Sequence, residues 1–250
     1  LFSGESMSAR LTTHFAPKLI DGRVNQLKQT DFPAVFQNDA FRGSLYQSQD
    51  RVLNIPELVN KLVQTCKPYI FKADPVVINR NGKLTGLRLD HQQTITADAY
   101  IFAAGQGNEA LIADTPLHQI KMQRRPLHQL MLKGQLPELF AHAISLHDLL
   151  KPRITFTTHF LGEHERVWYL GGNLAEQGVD KSEGELIEWA KQEIQQLLPW
   201  VDLSDVKWAG LPIDRAETAH KDIAMPSYPF VEAIENCMVC WLTKLTLTPL

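Results

Sequence analysis

The sequence predicts an α+β fold with two sheets, and three observations support this prediction. Two segments, residues 54–68 and 183–198, carry apolar side chains at helical spacing. Two further regions contain pairs of apolar runs separated by short polar turns, which is typical of β-hairpins. Strands and helices follow one another without strict alternation, and this favours an α+β arrangement over a purely doubly wound parallel sheet.

Both predicted helices have recognisable starts and ends. The first begins after Asn54, has Pro56 in its first turn and stops before Pro68. Its apolar side chains are Leu58, Val59, Leu62 and Val63. The second begins with acidic residues, which suits the positive end of the helix dipole. Its apolar side chains recur every three or four residues and are Leu186, Ile187, Ala190, Ile194, Leu197 and Leu198.

The strands are predicted from turn residues and from apolar runs. Asn81-Gly82 favours the tight turn of an antiparallel hairpin, which would join residues 75–79 to residues 84–89. The other predicted strands are residues 95–104, 121–133, 154–160, 167–170, 206–209 and 238–242. Residues 1–50 show little periodicity, and we expect them to be irregular.

Composition indicates a protein that works on small molecules. The 250 residues include 25 basic and 28 acidic residues with no long block of one sign, which argues against a nucleic-acid or membrane-surface role. No apolar run approaches the about 20 residues that span a bilayer, and no signal-peptide pattern is present, so a cytoplasmic location is expected.

Several kinds of site are excluded by pattern. The three cysteines are too few for a disulfide framework, and Cys237 and Cys240 would point to opposite sides of a strand. The histidine pairs lack the spacing of zinc ligands, so no metal site is predicted. The nucleophile elbow of acyl-transfer hydrolases and the phosphate-binding loop of nucleotide hydrolases are both missing from the sequence.

Residues 96–111, TADAYIFAAGQGNEAL, are predicted to form a buried strand that ends in a glycine turn. The apolar run of residues 99–104 is typical of an interior strand in a covered sheet. Ala104 and Gly105 have almost no side chain, so a planar ligand could lie against their main chain. Gly107 would permit a backbone angle that other residues avoid. A plain strand-to-helix turn is an equally good interpretation of this segment alone.

The order of four segments resembles the central and C-terminal parts of FAD-dependent oxidoreductases of the D-amino-acid oxidase and glycine oxidase type. The four segments are IPELVNKLVQTC, PVVINRNGKLTGLRLDHQQTITADAYIFAAGQGNEAL, VWYLGGNLAEQGVDKSEGELIEWAKQEIQQLLPWVDLSDVKWAGLP and WLTKLTLTPL. Together with the chain between them they cover roughly 200 residues. The resemblance implies an incomplete FAD/NAD(P)-binding fold. Its FAD-binding domain would be discontinuous, comprising residues 1–115 and 206–250, and residues 116–205 would form an antiparallel substrate-binding domain with a long helix.

The resemblance also implies FAD as the cofactor. The implied contacts are Val76 on the adenine side, Ala104, Gly105 and Gly107 along the flavin nucleotide, and Lys244, Leu245 and Thr246 at the pyrimidine end. Reduced flavin carries negative charge near its pyrimidine carbonyl, so free backbone N–H groups and a nearby lysine would stabilise it there. A solvated lysine beside a strand is the alternative interpretation of Lys244.

Arg215 is the residue expected to hold a substrate carboxylate. Many relatives read GLRP where this chain reads GLP at residues 210–212, and Arg215 follows three residues later. An arginine there would make two parallel hydrogen bonds to the carboxylate and would hold the substrate carbon over flavin N5 for hydride transfer. An ion pair with Asp214 or Glu217 is the alternative. Further candidates around the pocket are Tyr228, which could cover it, and Arg124 and Arg125, which could line it.

The resulting expectation is an FAD-dependent oxidoreductase that oxidises an amino acid, amine or hydroxy acid, with a small and carboxylate-bearing substrate. The dinucleotide fingerprint GxGxxG is missing from the sequence, which begins at Leu1. We therefore expect the fingerprint to lie upstream and the 250 residues alone to be inactive. The alternatives are a remnant or regulatory module without cofactor and a nicotinamide-dependent reductase.

Overall fold

The computed structural model describes residues 2–3, 25–48, 51–89, 93–144, 152–219 and 229–242. The described residues confirm the α+β prediction, since they contain helices and mostly antiparallel strands. The chain divides into two compact units, here called unit 1 (residues 1–53 and 127–213) and unit 2 (residues 54–126 and 214–250). Residues 1–53 thus cluster with residues 127–213, whereas the predicted boundaries had placed them in the cofactor domain.

The described strands form three sheets rather than the two predicted. The strands are β1 (Phe2–Ser3), β2 (Asn25–Gln26), β3 (Ser44–Gln47), β4 (Val76–Arg80), β5 (Lys83–Arg88), β6 (Thr94–Ile95), β7 (Tyr100–Phe102), β8 (Met122–Gly134), β9 (Ala141–Ala143), β10 (Ile154–Phe160), β11 (Arg166–Gly171), β12 (Lys207–Thr218), β13 (Phe230–Ile234) and β14 (Cys237–Trp241). The largest sheet has the order β12-β8-β11-β10-β9-β1-β3-β2, and the two smaller sheets have the orders β13-β14-β7 and β4-β5-β6.

The two long predicted helices are confirmed. The described helices are α1 (Ile55–Cys66), α2 (Asn108–Ile112), α3 (Asn173–Gln177) and α4 (Glu183–Leu197). The side chain of Asn54 caps α1 by accepting a hydrogen bond from the N–H of Glu57 at 3.2 Å. Although α1 is amphipathic, it buries none of its residues among the described parts of the chain. No described helix is both long and apolar enough to cross a bilayer.

The core of unit 1 forms where α4 packs with the strands of the largest sheet. Leu186, Ala190 and Ile194 on one side of α4 are fully buried, as are Trp168 of β11 and Phe156 of β10. The two aromatic rings meet edge to face, with 5.2 Å between their centroids. The predicted hairpin of β10 and β11 is confirmed by their antiparallel register.

A capping box begins α4. The Ser182 hydroxyl accepts a hydrogen bond from the N–H of Glu185 at 3.4 Å, and the Glu185 carboxylate accepts the N–H of Ser182 at 2.9 Å. The Glu185 carboxylate also accepts from the Ser182 hydroxyl at 2.6 Å. These hydrogen bonds favour the ionised carboxylate, and the bond from the Ser182 side chain is the largest cause of the lowered pKa of Glu185.

Replacing Ser182 with alanine is expected to lower the Tm of the protein by about 2–4 °C at neutral pH, because the cap is lost. The pKa of Glu185 is lower in the folded than in the unfolded state, so the contribution is present above the unfolded pKa and is lost as the pH falls through the folded pKa. The Tm difference between the wild type and Ser182→Ala should therefore shrink on acidification. Thermal scans between about pH 7 and pH 3 measure this, and a difference that stays constant over the range would contradict it.

Unit 2 contains the Asn-Gly hairpin that the sequence predicts. Asn81 and Gly82 both have positive φ, 53° and 75°, as the tight hairpin turn requires, and they join β4 to β5. The predicted strand at residues 95–104 is not continuous, because β6 and β7 belong to different sheets. Between them the chain turns, and the N–H of Ala97 donates a hydrogen bond to the Tyr100 hydroxyl at 2.9 Å.

Strand β7 has one strand neighbour among the described residues, the parallel strand β14. On one side of the two strands Tyr100, Phe102 and Trp241 are buried in the core of unit 2. On the other side Ile101 is 66% exposed, so the predicted covered interior strand is only half covered by the described residues. Cys237 is buried and Cys240 lies on the opposite side of β14, as predicted from their spacing. Burial raises the pKa of the Cys237 thiol.

Two strands carry the chain from one unit into the other. The boundary falls between Pro126 and Leu127 inside β8, and between Ile213 and Asp214 inside β12. Strand β8 matches its prediction closely. Strand β12 extends over 12 residues, far beyond the predicted residues 206–209. The sequence GLPID at residues 210–214 interrupts any apolar alternation, which explains the short prediction.

Candidate cofactor and substrate site

The glycine turn after β7 exposes its main chain. Gly105–Gly107 form one turn of 3-10 helix, in which the N–H of Gly107 donates to the carbonyl of Ala104 at 3.0 Å. Residues 103–106 are all exposed, and a Cβ built on Gly105 would have no neighbour within 4 Å. The described part of unit 2 therefore leaves open space over this main chain, which a flat ligand could occupy.

The glycine that requires special backbone geometry is Gly105. Its φ is +59°, in the left-handed region that favours glycine. Gly107 has a φ of −70°, an ordinary value for any residue, so the conformational freedom that glycine permits at this position is not used. A Cβ on Gly107 would lie 3.4 Å from the Cβ of Ala104, which is an ordinary contact distance.

Hydrogen bonds from buried side chains hold this turn. The Asn108 side chain, which is 0% exposed, accepts the N–H of Ala104 at 2.8 Å and donates to the carbonyl of Cys240 at 3.0 Å. The indole N–H of Trp241 donates to the carbonyl of Gly105 at 2.9 Å. The start of the turn, at Ala104 and Gly105, is thus fixed to the end of β14.

The other predicted cofactor residues lie apart from this turn or outside the described residues. Val76 begins β4, which belongs to a different sheet, and its side chain is 51% exposed. Lys244, Leu245, Thr246 and Tyr228 lie outside the described residues. The structure therefore brings together Ala104, Gly105 and Gly107 and leaves the remaining assignments as predictions.

A buried carboxylate organises the region around Arg215. Glu217 of β12 is 0% exposed, and its Oε1 accepts hydrogen bonds from Gln123 Nε2 at 2.6 Å and from Arg125 Nη2 at 2.7 Å. Arg215 lies two residues before Glu217 in the same strand, and alternate residues of a strand point to the same side. Arg215 therefore lies on the same side of β12 as a carboxylate that already pairs with Arg125.

The two acids that flank Arg215 each pair with another arginine. Glu217 pairs with Arg125, and Asp214 lies 3.5 Å from Arg124 Nη1. Arg124 also approaches Glu109 at 3.5 Å and is about half exposed, as are both of its partners. Such exposed pairs contribute little to stability. The Arg125–Glu217 pair is much more enclosed, and it fixes the side of β12 on which Arg215 lies.

Sequence patterns did not identify Asn108, Trp241 or Gln123 as parts of this region, and they suggested Glu217 only as a partner of Arg215. Asn108 contacts Cys240, which is 132 residues away in sequence, and Glu217 contacts residues 92 and 94 positions away. A buried polar residue is costly unless it is hydrogen-bonded, so a polar residue in an apolar segment is a weak signal of such a role. Asn108 directly after the glycine turn is the one position where that signal was available.

Comparison with known proteins gives consistent results. No protein-family model matches this sequence. The chain is 38% identical over 252 aligned residues to the FAD-dependent oxidoreductase PA4991 of Pseudomonas aeruginosa, with 100% of this chain aligned. The crystal structure of that protein superposes with a TM-score of 0.80 over 91% of this chain. The chain spans 64% of the length of this relative.

More distant structures share the fold. Glycine oxidase from Bacillus cereus has a TM-score of 0.62 and 14% identity, covering 96% of this chain and 65% of its own. Amadoriase I from Aspergillus fumigatus has a TM-score of 0.61 and 14% identity, covering 96% of this chain and 60% of its own. The resemblance that the motifs predict is therefore confirmed: the chain is similar in sequence to an FAD-dependent oxidoreductase and shares its fold with glycine oxidase and amadoriase I.

Proposed function

We propose that the complete protein binds FAD and oxidises a small, carboxylate-bearing amino acid, amine or hydroxy acid. The observation that carries this proposal is the exposed and rigidly held main chain at residues 104–107, in a chain that is 38% identical to an FAD-dependent oxidoreductase. Within the described residues this turn fits a flat cofactor, because nothing lies within 4 Å of a Cβ built on Gly105.

The 104–107 turn would bind the cofactor and orient it. Its backbone is held by Asn108 and Trp241, so little conformational freedom would be lost when a ligand packs against it. A side chain at position 105 would project into the open space and would strain the backbone at positive φ. When bound, a flavin would supply a hydride acceptor.

The contribution of Arg215 would be to hold the substrate carboxylate. A guanidinium group can donate two parallel hydrogen bonds to a carboxylate, which fixes both the position and the orientation of the substrate. Both flanking acids, Asp214 and Glu217, also have an arginine partner of their own, Arg124 and Arg125 respectively, which supports this role. Hydrogen bonds from Gln123 and Arg125 occupy Oε1 of Glu217 and hold its carboxylate in place.

The proposal is tested by the colour and the reduction of the purified complete protein. Visible flavin absorbance is expected, and it should bleach without oxygen when an amino or hydroxy acid substrate is added. A panel should pair each acid with the matching compound that lacks the carboxylate, which is expected to leave the flavin oxidised. A colourless complete protein would contradict the proposal and would favour a remnant without cofactor.

We further infer that a polypeptide of only these 250 residues binds FAD more weakly than a longer protein that also carries a dinucleotide fingerprint. That fingerprint places the pyrophosphate on a helix N-terminus, and it is missing from this sequence. The helix that follows the 104–107 turn, α2, has only five residues, which is too short to supply such a site. FAD titrations of the two polypeptides test this, and equal dissociation constants would contradict it.

A further inference from the structure

Asn108 is the polar side chain on which the 104–107 turn depends. It is fully buried, and both ends of its amide are used, the oxygen by the N–H of Ala104 and the nitrogen by the carbonyl of Cys240. Burying an amide is unfavourable unless its hydrogen bonds are made. Here the two bonds link main-chain atoms from the two separate sequence segments of unit 2.

The bonds made by Asn108 act together with that of Trp241. Asn108 ties the first residue of the turn to Cys240, and the next residue of β14, Trp241, ties its indole N–H to the carbonyl of Gly105. On β14 the carbonyl acceptor and the indole donor thus belong to consecutive residues, Cys240 and Trp241. On the turn the N–H donor and the carbonyl acceptor also belong to consecutive residues, Ala104 and Gly105. This arrangement fixes both the distance and the rotation of the turn relative to β14.

We propose that Asn108 is a positioning residue for the cofactor, which holds the exposed main chain of residues 104–107 ready for the ligand without touching it. The proposal rests on the proposed binding of FAD at this turn. Preorganised backbone binds more tightly because the free energy of ordering it is already supplied by folding. Loss of the link should therefore weaken cofactor binding by more than the loss of an equivalent hydrogen bond elsewhere in unit 2.

Unit 2 offers a matched control for this effect. Asn236, in the turn before β14, donates one side-chain hydrogen bond to the carbonyl of Leu84 at 2.8 Å. The variants Asn108→Asp and Asn236→Asp each replace one amide donor to a main-chain carbonyl with a carboxylate oxygen. In Asn108→Asp the acceptor for the N–H of Ala104 is retained, but the bond to Cys240 is lost and a carboxylate oxygen faces that carbonyl in a fully buried site. Asn236 is less buried, so the two variants differ in burial as well as in whether the lost bond holds the turn. Trp241→Phe, which adds no charge, separates the two effects.

The test is an FAD titration of the apo form of the complete protein, followed by quenching of flavin fluorescence, with the Tm of each apo variant measured in parallel. Asn108→Asp is expected to raise the Kd for FAD about tenfold, and Asn236→Asp to leave it within about twofold, while both lower the Tm. Equal changes in Kd for the two variants would overturn the proposal, because they would assign Asn108 a purely structural role.

A second variant covers the case in which Asn108→Asp fails to fold. Trp241→Phe keeps an aromatic ring in the core and removes only the indole donor to Gly105, so it should also raise the Kd for FAD several-fold. An unchanged Kd in this variant would count against the positioning role of the link to β14. A wild-type protein that binds no FAD would instead overturn the proposed function, and with it the role of Asn108.

Discussion

Arg215→Ala is expected to lower kcat/KM for a carboxylate-bearing substrate about 100-fold, mainly through a higher KM. Two hydrogen bonds from a charged guanidinium to a carboxylate are lost, and each such bond contributes about 1.5–3 kcal/mol before the remaining contacts adjust. Steady-state kinetics of the complete enzyme measure the effect, and binding of FAD should be unchanged. Arg215→Lys should recover only part of the loss, because an ammonium group cannot make the two parallel bonds.

The matched control for this prediction is Arg80→Ala. Arg80 is an exposed arginine at the end of β4, in the same unit, so its removal changes the net charge by the same amount. Its kcat/KM should stay within about twofold of wild type, since exposed charges contribute little. Retention of both turnover and KM in Arg215→Ala would show that another residue holds the carboxylate.

Trp168→Ala is expected to have the largest effect on stability, about 3–5 kcal/mol in the free energy of unfolding of unit 1. The Trp168 side chain is 0% exposed, stacks edge to face with Phe156, and donates its indole N–H to the carbonyl of Pro137 at 2.8 Å. Its removal leaves a large cavity beside α4 and an unpaired carbonyl. Urea unfolding followed by far-UV circular dichroism measures the change.

Trp189→Ala provides the comparison for the Trp168 prediction. Trp189 of α4 is only partly buried, and its indole N–H donates to Glu193 at 3.1 Å. The decrease in the free energy of unfolding should be clearly smaller than for Trp168→Ala. Part of the Trp189 ring is already in contact with water in the folded state, so less apolar area is exposed on unfolding. If Trp189→Ala were the more destabilising of the two, the assignment of Trp168 to the centre of the core would be wrong.

Local signals in the sequence predicted a large part of this fold. The apolar spacing in residues 54–68 and 183–198 and the Asn81-Gly82 turn are each decided by neighbouring residues, so α1, α4 and the β4–β5 hairpin were predictable. The full length of strand β12 was not predictable, because its sequence includes Pro212 and lacks an alternation of apolar and polar residues. Its pairing with β8 compensates for this. Pairing with a distant strand leaves no local trace.

The candidate site was predictable in its position but less so in its construction. The small residues Ala104 and Gly105 indicated an exposed main chain at the 104–107 turn, and the main chain is exposed there. Which glycine carries the positive φ was not predictable, since GxG alone does not say where the left-handed residue falls, and the structure has it at Gly105. The supports of the turn, Asn108 and Trp241, are defined by contacts over more than 130 residues of sequence, which no short pattern encodes.

The interleaved composition of the two units has a consequence for biosynthesis. Unit 1 needs residues 1–53 and 127–213, and unit 2 needs residues 54–126 and 214–250. When only the first half of the chain has been translated, each unit therefore has only part of its residues and neither unit is complete. The apolar side chains of unit 1 therefore lack part of their packing partners until residue 213 has emerged, which lengthens the time in which the nascent chain is prone to aggregation.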